Sequence, residues 1–170
     1  MKKFGMILLV IIVSSTTLLS EIKRKEYYPP KNYCRATATV SVILKKIGLG
    51  PEEDCEVHCP SGTLARCTAS FFTASCGCYK NSGSPKQTIL IPGGISNIHM
   101  QIANDFINFC NQSSSINIQT LGNYVLGAKE AIVNNDQAMF SDYEIAYDEL
   151  FDQLSPSEIM EIENWINNYQ

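Results

Sequence analysis

The sequence predicts an α+β fold: a small disulfide-stapled antiparallel β segment followed by an α-helical subdomain of about four short helices. Five of the seven cysteines fall between positions 55 and 78, in a stretch whose side chains alternate with a period of two. From Ser96 onward the apolar residues recur at helical spacing, in four successive stripes. With 45 % hydrophobic and 18 % charged residues, the chain has the material for a packed core and is not a disordered one.

The N-terminus reads as an export signal over residues 1–20. Lys2 and Lys3 precede an apolar run from Phe4 to Val13, which continues uncharged to Ser20. Charge then returns with Glu21, Lys23, Arg24, Lys25 and Glu26. A membrane span needs about 20 mostly apolar residues, and this stretch is too short and too polar in its middle. Ser15 or Ser20 supplies a small residue for cleavage; a retained N-terminal anchor is the alternative. Cys34, the first cysteine, lies too far along for a lipoprotein signal. The expected location is therefore secreted or periplasmic, with no stable membrane span after cleavage. Residues 21–33, charged and carrying Tyr27-Tyr28-Pro29-Pro30, read as an extended linker.

Residues 34–94 form the expected cysteine-rich β segment. Ala36, Ala38, Val40, Val42 and Leu44 alternate as in a strand, whereas Val40, Ile43, Leu44 and Ile47 would make a helical stripe. The β-branched residues Thr37, Thr39, Val40, Val42 and Ile43 tip the expectation to strand. Gly48 and Gly50-Pro51 end the element. Three further alternating runs follow: Cys55, Val57, Cys59; then Ala65, Cys67, Ala69, Phe71; then Ala74, Cys76, Cys78. Pro60-Ser61-Gly62 and the region of Thr73 permit reversals, so the runs are expected to form an antiparallel meander with its sulfurs on one side. A loop over 81–85 and a short strand from Gln87 to Ile91 complete the segment. Pro92-Gly93-Gly94 is a turn, since no Lys-Ser/Thr follows as a phosphate loop requires.

Cys34, Cys55, Cys59, Cys67, Cys76, Cys78 and Cys110 are all disulfide candidates in an oxidising compartment. An odd count leaves one unpaired, and spacing does not fix the connectivity. Cys55-x3-Cys59 followed by Cys76-x-Cys78 resembles the framework of small defensin-like peptides, in which a helix carries the first pair. Val57 and Pro60 depart from that pattern. The Cys55 to Gly62 motif, Cys-x-Val-x-Cys-Pro-x-Gly, also resembles segments of small exported bacterial proteins, a likeness that implies no activity. Zinc would use Cys55 and Cys59 with His58, but Cys76 and Cys78 are too close for the usual second ligand pair. Thiol-disulfide exchange at Cys76-Gly77-Cys78 is the main chemical alternative, although no helix N-terminus is expected there to activate a thiolate.

Residues 95–170 form the expected acidic helical subdomain. The first stripe is Ile98, Ile102, Phe106, Phe109 and Cys110, with Ser96 as N-cap. The second is Leu121, Tyr124, Val125, Ala128 and Ile132, and the third Met139, Tyr143, Ala146, Tyr147, Leu150 and Leu154. Ser155-Pro156-Ser157-Glu158 is a capping box with proline at the first helical position. Behind it Ile159, Ile162, Ile166 and Tyr169 face inward, with Trp165 at the edge of that face.

Charge divides along the chain: residues 21–86 hold ten Lys/Arg against six Asp/Glu, whereas Glu130 to Gln170 hold ten acids and no Lys or Arg. Those acids are the solvated faces of helices, or a docking surface for a basic partner or for the chain's own basic N-terminal half. A net charge of −4 and a pI near 5.2 argue against nucleic-acid binding. No catalytic residue is assigned: His58 and His99 lack a local nucleophile signature, and Asp148/Asp152 and Glu158/Glu161 lack any sugar-binding pattern. Around Asp142-Tyr143-Glu144 the glycine and ligand alternation of a calcium loop are missing. No metal and no cofactor is expected. The expected function is an exported, non-catalytic binding or structural module whose partner is unidentified, with a protein as the candidate class. The alternatives are the exchange protein above and a precursor of a secreted toxin or signalling peptide.

Overall fold

The computed structural model describes residues 32–49, 54–80 and 88–170. The expected export signal and the linker up to residue 31 lie outside the described residues, as does the loop over 81–85. The fold is α+β. Its elements run β1 (Tyr33–Thr37), α1 (Thr39–Lys46), β2 (Asp54–His58), β3 (Leu64–Ala69), β4 (Ala74–Tyr79), α2 (Asn97–Gln112), α3 (Ile116–Asn134), α4 (Gln137–Phe151) and α5 (Pro156–Asn168).

The expected meander is replaced by two separate two-stranded antiparallel sheets, β1 with β2 and β3 with β4. Register explains the pairing. Tyr33 lies opposite His58 and Arg35 opposite Glu56, so one face of the β1–β2 ladder is polar with opposite charges across from each other. The alternate positions put Cys34 opposite Val57 and Ala36 opposite Cys55, a second face of small and apolar side chains. In the other ladder Cys67 faces Cys76 and Ala65 faces Cys78.

The strand expected from Cys34 to Ile47 stops at Thr37, and Thr39–Lys46 is helical. Local β propensity loses to two tertiary terms. Val40, Ile43 and Leu44 bury one helical face in the core. The first amides of α1, which no side chain caps, donate to the chain near β3: Thr39 N to Ser70 O at 3.0 Å and Val40 N to Phe71 O at 2.9 Å. The strand expected over Gln87 to Ile91 is also absent among its described residues, 88–91. The amides of Ile89 and Ile91 are taken by Ser141 Oγ and Gln137 Oε1 of α4, so they are not offered to a ladder.

The four expected helices form as α2 to α5. Ser115, Asp136 and Ser155 cap α3, α4 and α5 with their side chains, while Ser96 and His99 form the box that opens α2. On α4 the buried face is Phe140, Ser141, Glu144, Tyr147 and Phe151. Of the expected stripe, Tyr147 and Leu154 are buried, whereas Met139, Tyr143, Ala146 and Leu150 are only half-buried. One cluster of buried residues runs without a break from Ala38, Val40 and Ile43, through Phe71 and Phe72, to the faces of α2 to α5.

Two glycines set how closely α3 packs. A Cβ at Gly122 would lie 2.5 Å from Cβ of Cys110 on α2, and a Cβ at Gly127 would fall within the van der Waals envelope of the Tyr143 ring on α4. Gly127→Ala gains up to ~1 kcal/mol of helix propensity but overpacks this crossing at a cost of about 1–3 kcal/mol. Denaturant unfolding should show a net loss of stability. Adding Tyr143→Leu should recover part of it, giving a non-additive pair.

Candidate functional site

The two ladders are joined by sulfur. Cys34 of β1 is bonded to Cys67 of β3, Cys55 of β2 to Cys76 of β4, and Cys59, just past β2, to Cys78 of β4. Their Cα separations are 5.9, 5.7 and 5.4 Å, inside the usual span of a bridge. Every bridge crosses from one sheet to the other, although Cys67 and Cys76 are direct neighbours within theirs. Small side chains between the sheets cannot make a core of their own, and the cross-links replace that missing burial.

Cys110 is the unpaired cysteine, fully buried on α2 against Gly122. Burial, with the Glu161 charge adding to it, pushes its thiol up to about 12, so it carries no thiolate at neutral pH. Cys76 and Cys78 are each bonded to a different partner and are not paired with each other, as the exchange reading would require of them when oxidised. The bridges run between the Cys-x3-Cys and Cys-x-Cys sets, but the first set lies on and just past a strand, contrary to the defensin-like arrangement. Cys55 and Cys59, the pair that a zinc site would have to use, are both in bridges, and the side chain of His58 is exposed.

The stapled hairpin of β3 and β4 is fastened to the helices by its reversal, residues 70–73. Phe71 and Phe72 enter the core beside Phe106, Tyr147 and Phe140. Glu144 of α4 meets them there with its side chain fully buried. Its Oε2 accepts from the amides of Phe72 (3.2 Å) and Thr73 (3.1 Å) and from the Thr73 hydroxyl (2.8 Å). Oε1 has no hydrogen-bond partner, nor has the nearby-in-sequence hydroxyl of Ser70. Desolvation therefore outweighs the three hydrogen bonds and raises the carboxyl to about 7, with Asp148 adding a smaller push in the same direction. Sequence reasoning weighed Glu144 only within a calcium loop whose pattern is missing, and not as a buried anchor. Its signal was an acid set among Phe140, Tyr147 and Phe151 on one helical face.

Beside this anchor lies an open hollow of about 390 Å³, lined by Thr73, Ala74 and Ser75 together with Ile89, Leu90 and Pro92. Leu90 stands 68 % exposed at its rim. On the polar face of β1–β2 the rings of Tyr33 and His58 lie 4.5 Å apart, and His58 Nε2 is 3.3 Å from Glu56 Oε1. His99 is engaged at the start of α2, where its Nδ1 accepts from the Ser96 amide at 3.1 Å.

Glu158, expected only as a cap, does more. It closes the Ser155 box and reaches Ser115 Oγ (2.5 Å) and Asn117 Nδ2 (3.0 Å) at the start of α3. These donors, Ser115 first, hold its carboxyl down at about 2. Comparison with protein families, with curated proteins and with solved structures finds no match for this chain. No helix among the described residues is long and apolar enough to cross a membrane.

The two carboxylates set opposite pH dependences. For Glu144 the folded value lies above the ordinary 4.5, so the unfolded chain sheds its proton first as pH rises. Its effect is to lower stability between about pH 4.5 and 7, by on the order of 3 kcal/mol in total. The Glu158 contribution is present above pH 4.5 and is lost as pH falls toward 2. Urea unfolding of wild type and Glu144→Gln from pH 4.5 to 8 checks this: the downward slope should flatten in the variant. An unchanged slope would assign it to other groups.

Proposed function

We propose that the chain is an exported, non-catalytic binding or structural module that works in an oxidising compartment outside the cytosol. One observation carries the reading: the seven cysteines, with His99, Glu144 and Glu158, are engaged in or buried within the fold itself. Six cysteines are in bridges and Cys110 is buried as a neutral thiol. Glu144 anchors the hairpin reversal, and His99 and Glu158 close helix N-termini. The reversal at residues 70–73 and six strand-borne or strand-flanking sulfurs make a rigid platform, the kind of scaffold on which exposed residues recognise a partner at low entropic cost.

Export is supported by the charged start, apolar run and abrupt return of charge over residues 1–26, and by three bridges that fit an oxidising compartment. The partner this reading favours is a protein, because the two display features, the hollow edged by Leu90 and the Tyr33/His58 face, are shallow and mixed in polarity.

The test is intact mass, before and after reduction and thiol labelling, of protein exported by its own signal. The expected product starts near residue 16 or 21, carries three disulfides, and exposes one thiol only after denaturation. Reproducible turnover of a peptide, glycan or disulfide substrate, abolished by a single substitution, would replace this reading with an enzyme.

A further inference from the structure

The sulfurs of Cys34, Cys67 and Cys76 all lie within 4.8 Å of one another, so two bridges, Cys34–Cys67 and Cys55–Cys76, meet at one point between the sheets. Three half-buried sulfurs at this spacing would suit a metal only as thiolates, and here all three are bonded to sulfur. Their position supports a different chemistry. Cys67 and Cys76 are directly opposed in the β3–β4 ladder. Directly opposed residues of an antiparallel pair have Cα atoms about 4.5–5.5 Å apart, within the roughly 4.4–6.8 Å that a disulfide spans. The ladder itself therefore holds these two cysteines at bonding distance without help from the other sheet.

We propose that Cys34, Cys67 and Cys76 form a reduction-triggered relay, in which one dithiol reductant removes both of these inter-sheet bridges at once. A thiolate of the reductant attacks Cys34 Sγ; the Cys34–Cys67 bond breaks and the electron pair leaves on Cys67. The second thiol of the reductant resolves the mixed disulfide, closing its own disulfide and leaving Cys34 as a thiolate. The Cys67 thiolate attacks Cys76 Sγ, forming Cys67–Cys76 and expelling Cys55, whose thiolate takes a proton from solvent. The chain gains two electrons, the dithiol loses two, and one disulfide of the original three is lost.

Cys34 and Cys55 then remain as thiols. In the β1–β2 ladder Cys34 is opposite Val57 and Cys55 is opposite Ala36, a diagonal relation about 7–8 Å across that exceeds the span of a bridge. Only Cys59–Cys78 still links the sheets, so a single two-electron step frees β1 and the body of β2 from β3 and β4. The half-buried setting of Cys34 and Cys67 leaves them reachable by a small dithiol, whereas Cys110 is sealed in the core and takes no part.

The experiment is limited reduction of the folded, oxidised protein with substoichiometric dithiothreitol, followed by acid quench, alkylation and disulfide mapping by mass spectrometry. The expected two-thiol species has Cys34 and Cys55 alkylated and Cys67–Cys76 bridged. A species with Cys34 and Cys67 alkylated and Cys55–Cys76 intact would overturn the relay. So would a Cys34–Cys76 bridge, or passage to the fully reduced chain with no two-thiol species. Cys55→Ser gives a second reading without reductant. Its unpaired Cys76 should displace Cys34 from Cys67, so that label appears at Cys34; label at Cys76 beside an intact Cys34–Cys67 bridge would contradict the proposal.

Discussion

The reversal at residues 70–73 is the constraint on which the rest of the structure depends. A tight turn buried in a core must find partners for its backbone polar groups, because each one left bare costs about 1–3 kcal/mol. Here the partners come from three elements. Ser70 N donates to Thr73 O within the turn at 2.8 Å, and the carbonyls of Ser70 and Phe71 accept from the first amides of α1. The amides of Phe72 and Thr73 are taken by Glu144 of α4. The turn thus caps one helix and is itself bound by another, while its two phenylalanines fill the space between them. A buried carboxylate is an expensive way to satisfy two amides and a hydroxyl, and the raised value of its carboxyl, about 7, reflects that cost.

Above the turn the two ladders have nothing comparable. Their facing side chains are cysteine, alanine and a valine, too small to exclude much water, and a two-stranded sheet alone is marginal. Cross-linking residues 19, 21 and 33 positions apart limits the unfolded chain instead, each bridge typically contributing about 2–4 kcal/mol. The molecule therefore combines two sources of stability. Oily burial holds the helices, α1 and the reversal; sulfur holds the sheets. The reversal transmits order between them, since it is continuous with β3 and β4 and packed among the helices.

At the far side of the helices a second polar device closes the structure. Lys46, in the last turn of α1, donates to the carbonyls of Ile166, Asn167 and Tyr169 at the end of α5. A cation on these orphan carbonyls complements the helix dipole and ties the first helix to the last. Tyr169 in turn donates to Asp105 of α2 at 2.7 Å, and Trp165 stacks on Phe109. The first helix is thus fastened to the last by a lysine on backbone carbonyls, without any acidic side chain taking part.

What the sequence determined by itself is whatever depends on neighbours along the chain. Period-two alternation marked β2, β3 and β4; helical spacing and the Ser155 to Glu158 box marked α2 to α5; and the cysteine density marked a stapled segment. Each is a local rule, set by side-chain direction or by an end of a helix. Tertiary structure decided the rest. Residues 39–46 are β-branched yet helical, because carbonyls some 30 positions away accept their first amides and because their apolar face has a core to enter. Cys67 and Cys76 sit opposite each other yet bond across to the other sheet, a choice fixed by how the sheets stack and not by spacing. Glu144 looked like one more solvated acid in a run of ten. Its role became visible only with the buried turn against it, since a carboxylate's function depends on which donors and how much water surround it, and the chain order records neither.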